Sequence, residues 1–185
     1  MKRLFAVLVS LVFITAVAAT AFSQAKSLAV TTGKVSVDGV VSPGEYSFSQ
    51  DFDQISVYAK RTADALYLAA VGDSTGWVAL GLGSLKMDGS TIFMGFVGKD
   101  GKVQFKPQMG SGHAHKDTSA DVSATIVSYS IKEAGGKTTL ELALKPAAYI
   151  KNGQKELQVI YAVGTEKSFI PRHMSRGALS LALPQ

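Results

Sequence analysis

The chain has 185 residues, among them three histidines, five methionines and no cysteine. Without thiolate, imidazole and thioether are the only soft or borderline donors a transition metal would find. Met87 stands in Gly83-Ser84-Leu85-Lys86-Met87-Asp88-Gly89-Ser90, a polar, glycine-rich connection between two apolar stretches. A long apolar side chain there either folds back to plug a core or faces a ligand, and its sulfur is a neutral, polarizable donor. His173 lies in Ile170-Pro171-Arg172-His173-Met174-Ser175-Arg176-Gly177, ahead of the last apolar stretch, where it reads equally as an exposed loop histidine. A third group occupies Met109–Asp117, with His113 and His115 between. On an extended backbone the two imidazoles would point the same way. With Met109 or Asp117 they could hold copper or zinc, and the alternative is a flexible loop at a pocket rim.

The lack of cysteine excludes disulfides, thiolate zinc or iron–sulfur centres, a cysteine nucleophile, a lipobox and the attachment site of a c-type haem. Enzyme signatures are also missing. There is no G-x-S-x-G elbow, and Gly81-x-Gly83 lies in or beside a strand without the helix a nucleotide fold requires. Asp38, Glu45, Asp51 and Asp53 cluster early, but nothing orients two of them as acid and base. The reading is therefore a ligand-binding module, not an enzyme. Nineteen Lys and Arg against fourteen Asp and Glu give a formal charge of +5. Beyond Lys2-Arg3, Lys60 and Arg61 are the only adjacent basic pair, and no aromatic-basic ladder accompanies them, so no nucleic-acid partner is expected.

The elements that must position these donors are strands. Residues 1–23 run from a basic start through an uncharged stretch, Leu4 to about Ala19, to Ala21-Phe22-Ser23, the three-part pattern of a secretory signal peptide cut after Ser23. The alternative, an uncleaved anchor, is disfavoured because no basic stop-transfer cluster follows. Cleavage leaves residues 24–185, at +3, as an exported chain without a stable membrane anchor, periplasmic or secreted. Within it period-2 alternation recurs at Lys34–Val37, Ile55–Lys60, Ala65–Val71, Trp77–Leu82, Thr91–Val97, Lys102–Lys106, Ala124–Lys132, Lys137–Leu144, Leu157–Val163 and Ala178–Leu183. These ten short strands predict an all-β, single antiparallel β-sandwich of the immunoglobulin-like type, from about Ser27 to Leu183. Asp100-Gly101 and Gly135-Gly136 predict type I′ hairpins, and Pro146 opens a single helical turn over Ala147–Lys151.

The block Trp77-Val78-Ala79-Leu80-Gly81-Leu82-Gly83, then Met87-Asp88-Gly89-Ser90, then Ile92-Phe93-Met94-Gly95-Phe96-Val97 resembles the central signature of DOMON domains. The earlier Val37-Asp38-Gly39-Val40 and Pro43-Gly44-Glu45-Tyr46 resemble the opening of the related haem-binding and family 9 carbohydrate-binding sandwiches. One departure is Thr91, where the motif usually has Asp, and DOMON modules without haem share the Met and Gly pattern. In haem-binding members, such as the cytochrome domain of cellobiose dehydrogenase, a non-covalent haem b is ligated by a Met of this segment and a His of a late loop. The resemblance therefore implies haem b as cofactor, Met87 and His173 as axial ligands of its iron with His115 or His113 as alternatives, and a redox partner protein. Two neutral axial donors would favour Fe(II) and leave no open position, which points to electron transfer or haem carriage.

The apolar slot for the ring would draw on Trp77, Leu80, Leu82, Ile92, Met94, Phe96 and Phe105, and Lys86, Arg172 or Arg176 could pair with its propionates. Two other functions stay open. One is a carbohydrate-binding module using Trp77, Tyr46, Tyr58 or Tyr67 as platforms. The other is a periplasmic copper or zinc carrier built on His113, His115 and Met109.

Overall fold

A computed structural model describes residues 26–118, 120–170 and 172–184. The signal-peptide segment lies outside these residues. The strands are β1 (Phe48–Phe52), β2 (Ile55–Arg61), β3 (Leu66–Gly72), β4 (Val78–Leu82), β5 (Thr91–Val97), β6 (Val103–Ser111), β7 (Ala114–Asp117), β8 (Ile126–Ala134), β9 (Lys137–Leu144), β10 (Glu156–Val163) and β11 (Ser175–Ala182). Two single-turn helices, α1 (Ala120–Ser123) and α2 (Pro146–Tyr149), interrupt them. The strands form a five-stranded sheet, β1-β2-β3-β9-β8, and a six-stranded sheet, β11-β10-β4-β5-β6-β7, with every strand pair antiparallel. This is the expected β-sandwich. Ser27 bridges to Ala182, and Leu183 is buried.

Alternation dictates which side chains fill the core. Leu68 and Ala70 of β3, Val78, Leu80 and Leu82 of β4, Phe93 of β5, Leu140, Leu142 and Leu144 of β9, and Val159 and Val163 of β10 form one buried cluster between the sheets. The sheets approach closely at Gly95, where a Cβ would lie 2.1 Å from Ile131 Cδ1. Unlike a one-faced strand, β4 is buried at every position and β5 at all but its two ends. Their second face therefore carries an apolar surface of its own.

Several local expectations differ from the structure. Lys34–Val37 joins no ladder, although Val35 is buried against Tyr67 and Ala143 on the outer face of the five-stranded sheet. Two strands, β1 and β7, lack the Val/Ile-rich signal and owe their state to the neighbours they pair with. At Gly98–Lys102 the Gly101 N–H donates to the Gly98 carbonyl and only Gly101 has positive φ, +76°, so Asp100-Gly101 closes a type I turn with a glycine bulge and not the type I′ turn. At Gly135-Gly136 both φ values are positive, as type I′ requires.

The opening segment is held to the sandwich by one buried carboxylate. Glu141 of β9 is fully buried and accepts hydrogen bonds from the Gly39 N–H (2.7 Å), the Asp38 N–H (3.0 Å) and the Tyr46 hydroxyl (2.7 Å). Burial pushes its carboxyl above the ordinary 4.5, against the opposing effect of these donors. Burial, and then the Glu141 carboxylate, push the Tyr46 phenol far above its usual range. Because the folded-state carboxyl keeps a proton the unfolded chain has released, stability falls as pH rises from about 4.5 through the raised value. Urea unfolding across that window should show this slope in the wild type and a flatter one in Glu141→Gln. Glu141→Ala, which orphans three donors, should lose roughly 2–4 kcal/mol. An identical slope in Glu141→Gln would refute the assignment.

Candidate ligand-binding face

The outer face of the six-stranded sheet is built by the residues of β4, β5 and β10 that alternate with the core. Register sets them in rows: Ala162 faces Ala79, which faces Met94, and Ile160 faces Gly81, which faces Ile92. Gly81 allows close approach, since a Cβ there would lie 2.5 Å from Ile160 Cγ1. Trp77, Ala79, Ile92, Met94 and Phe96 form a buried cluster distinct from the core, and Met87, Ile160, Ala162 and Phe169 pack onto it. The result is an apolar floor on a face that would ordinarily be polar.

Two loops lie at opposite ends of this floor. One, between β4 and β5, carries Met87. Buried Ser90 ties it internally, donating its hydroxyl to the Lys86 carbonyl at 2.6 Å and its N–H to the Met87 carbonyl at 3.1 Å. The β6–β7 hairpin holds it from the side, through Gly89 N–H to the Gly110 carbonyl (3.1 Å) and Gly112 N–H to Asp88 Oδ1 (2.7 Å).

The second loop, between β10 and β11, carries Phe169 and His173. Its base is locked to Trp77: the Gly164 N–H donates to the Trp77 carbonyl (2.9 Å) and the Trp77 N–H to the Glu166 carbonyl (3.1 Å). A Cβ at Gly164 would lie 2.2 Å from Trp77 Nε1. Phe169 packs on Phe96 with ring centroids 4.9 Å apart, under the Lys106 ammonium. Lys167 pairs with Glu133, and the Met174 N–H returns the chain to the Val163 carbonyl at 2.7 Å. The rows that bound β4, at Val78 and Leu82, are four residues or about 13 Å apart.

Of the expected site residues, Met87, Trp77, Met94 and Phe96 come together in this cluster. His173 is exposed in the second loop, and exposed Arg176 faces Ala162 at the margin of the floor. Lys86 and Arg172 are exposed as well. Ile92 joins the floor, whereas Leu80 and Leu82 belong to the opposite, core side, and Phe105 packs against that core too, stacked on Tyr129 at 4.0 Å.

The grouping of Met109, His113 and His115 is not formed as expected. His113 sits in the hairpin turn, and Met109, one residue from the Gly110 that faces His115, is on the other face of the ribbon. Among the described residues no three His, Cys, Asp or Glu side chains gather in a metal-binding group. As carbohydrate platforms Trp77 and Tyr67 are buried, while Tyr46 and Tyr58, 5.7 Å apart, line a separate cleft of about 290 Å³.

Phe169, Ile160 and Ala162 went unnamed by sequence reasoning. The signals were present: Phe169 is a lone aromatic in a polar loop, the same argument that singles out Met87, and Ile160 and Ala162 are apolar residues on the second face of a strand whose first face is already apolar.

The chain is similar to solved structures of low sequence identity. The cytochrome b domain of pyranose dehydrogenase from Coprinopsis cinerea superposes with a TM-score of 0.53 at 13% identity, over 69% of this chain and 76% of that one. The cytochrome domain of Myriococcum thermophilum cellobiose dehydrogenase matches at 0.49 and 13%, over 74% and 81%. A family 9 carbohydrate-binding module from Caldicellulosiruptor kristjanssonii, in complex with cellotriose, matches at 0.45 and 12%, over 82% and 83%. No model of a known protein family matches the chain, and no characterised protein matches it by sequence. Among the described residues no helix is long and apolar enough to cross a membrane.

Trp77 is the sole tryptophan and is 4% exposed, so its emission reports on the floor. Phe169→Ala should shift the emission maximum to the red and raise binding of an apolar dye, with the far-ultraviolet circular dichroism unchanged. An unshifted maximum would mean that Phe169 does not cover the floor.

Proposed function

We propose that the outer face of the six-stranded sheet binds haem b without covalent attachment, and that the exported protein carries electrons or haem. The observation that carries this reading is an apolar floor, where a polar surface is the rule, set between one loop bearing a methionine and another bearing a histidine. The residues fit the group. Ala79, Gly81, Ile92, Met94 and Ala162 offer a flat apolar bed, Met87 and His173 offer neutral donors from the two ends, and Arg176 and Lys86 supply cations at the margin. Trp77 Nε1 is a buried donor without an acceptor, the kind of group a bound carboxylate satisfies.

Bound there, haem would supply one-electron chemistry. Met87 and His173 would supply the donors that hold it, and the apolar floor would exclude water around it, which disfavours added charge there. The shared fold with a cytochrome b domain supports this reading, which agrees with the Trp77–Val97 motif. A redox partner would dock at the exposed margin near Arg172 and Arg176.

Purified protein titrated with haemin should give a six-coordinate, low-spin spectrum with sharp α and β bands on reduction. Met87→Ala and His173→Ala should each abolish it, while His113→Ala and His115→Ala leave it intact. A wild type that stays colourless, or a spectrum that survives both ligand substitutions, would overturn the reading.

A second reading rests on the other cleft. Tyr46 and Tyr58, beside the Ser42 and Ser49 hydroxyls, form a small tyrosine-lined hollow suited to a neutral sugar ring. Titration with cello-oligosaccharides separates the two: binding lost in Tyr58→Ala but kept in Met87→Ala would favour carbohydrate, and no binding would remove it.

A further inference from the structure

Around Gly110 the fold gathers lone-pair donors that haem ligation by Met87 and His173 does not explain. Gly110 of β6 faces His115 of β7. Its N–H donates to the Ser90 carbonyl and its carbonyl accepts from Gly89, so both its backbone groups turn away from β7. Gly110 and His115 are thus a non-hydrogen-bonded antiparallel pair, whose Cα atoms lie about 4.5 Å apart with side chains closest. Gly110 has no side chain, and Met87 takes the space: a Cβ there would lie 1.7 Å from the Met87 carbonyl oxygen and 3.3 Å from its Cγ. His115 is thus the cross-strand partner of the position whose missing side chain leaves room for the Met87 carbonyl and Cγ.

Gln108 is two residues away on the same face of β6 and is 5% exposed. It faces Asp117 on β7, which Lys106 holds at 2.8 Å. Gln108 Oε1 and His115 Nδ1 are both buried and both without a hydrogen-bond partner. Two such atoms cost a folded chain stability unless a ligand satisfies them.

We propose that Met87 Sδ, His115 Nδ1 and Gln108 Oε1 form a site for a soft monovalent metal ion, copper(I). The donor set is neutral: a thioether, an imidazole and an amide carbonyl. Of the two carboxylates nearby, Asp117 pairs with Lys106 and Asp88 accepts the Gly112 N–H. Thioether and imidazole suit copper(I), a carbonyl oxygen serves as a weak third ligand, and a hard divalent ion would find no carboxylate among these three donors. The site shares Met87 with the haem reading but not its histidine, so it belongs to the haem-free protein and stands whether or not haem binds.

The test is anaerobic titration of haem-free protein with copper(I) against bicinchoninate, together with NMR of the methionine methyls and histidine rings. One equivalent should be withdrawn from the chelator, with shifts at the Met87 methyl and the His115 ring. Met87→Leu and His115→Ala should each weaken binding by at least about tenfold, and Gln108→Leu by less. His173→Ala and Met109→Leu should leave it unchanged. Trp77 emission checks that each variant is folded, and the wild-type NMR shifts stand as an independent readout. Absence of copper(I) binding, equal affinity for zinc(II), or undiminished binding in both Met87→Leu and His115→Ala would overturn the proposal. Failure of haemin to bind would leave it standing, because no haem enters this titration.

Discussion

The pairing register of β4 and β5 is the constraint on which the rest depends. Both strands are apolar on both faces, so the same five-pair ladder supplies the centre of the core through Val78, Leu80, Leu82 and Phe93 and, with Phe96 beyond it, the outer floor through Ala79, Gly81, Ile92 and Met94. A slip of one residue would exchange the two sets and bring Gly81 and Ala79 into a core that needs leucines. The leucine row facing β9 forbids that exchange, because Leu140, Leu142 and Leu144 demand bulk opposite them. The core thus fixes which side chains the outer face presents, and the loops at each end of β4 and β5 inherit their positions from it.

Backbone geometry makes those loops more than connections. Gly110 and Gly164 each lack a side chain where another residue's atoms already sit, Met87 in one case and the Trp77 indole in the other. Any larger residue would push the loop off the sheet. Each loop consequently rests against the floor with one apolar side chain directed onto the cluster, Met87 or Phe169, while its polar residues remain outside. A surface so organised is apolar, with few polar groups, and is covered by two loops, which suits it to an apolar ligand.

Much of this was legible in the sequence. Thr91–Val97, rich in β-branched and aromatic residues, and Lys137–Leu144, with Leu140, Leu142 and Leu144 alternating with Thr139, Glu141 and Ala143, have boundaries set to the residue. Lys34–Val37 has the alternation of a strand but lies where the five-stranded sheet is already covered, and Glu141 draws Asp38 and Gly39 into hydrogen bonds that a ladder would have used. The short β7 has almost no apolar content, and only its pairing with β6 makes it a strand. For the site, Met87, Trp77, Met94 and Phe96 follow from motif and spacing. Phe169 carries the same signal as Met87, a lone apolar side chain in a polar loop, but where that loop folds back is a tertiary fact; Gln108 carries none, because its role depends on which face of β6 it shows. The split of Leu80 and Leu82 from Ile92 likewise needed the register.

The central claim is that ligand chemistry occurs on the outer face and not in the core. Methyl NMR during addition of haemin reads that difference directly, since a porphyrin shifts nearby methyls strongly and distant ones hardly at all. Large shifts should appear at Met87, Met94, Ile92 and Ile160, while Leu68, Leu80 and Leu142, in the core between the sheets, stay in place. Shifts centred on the core leucines, or none at any methyl, would contradict the account.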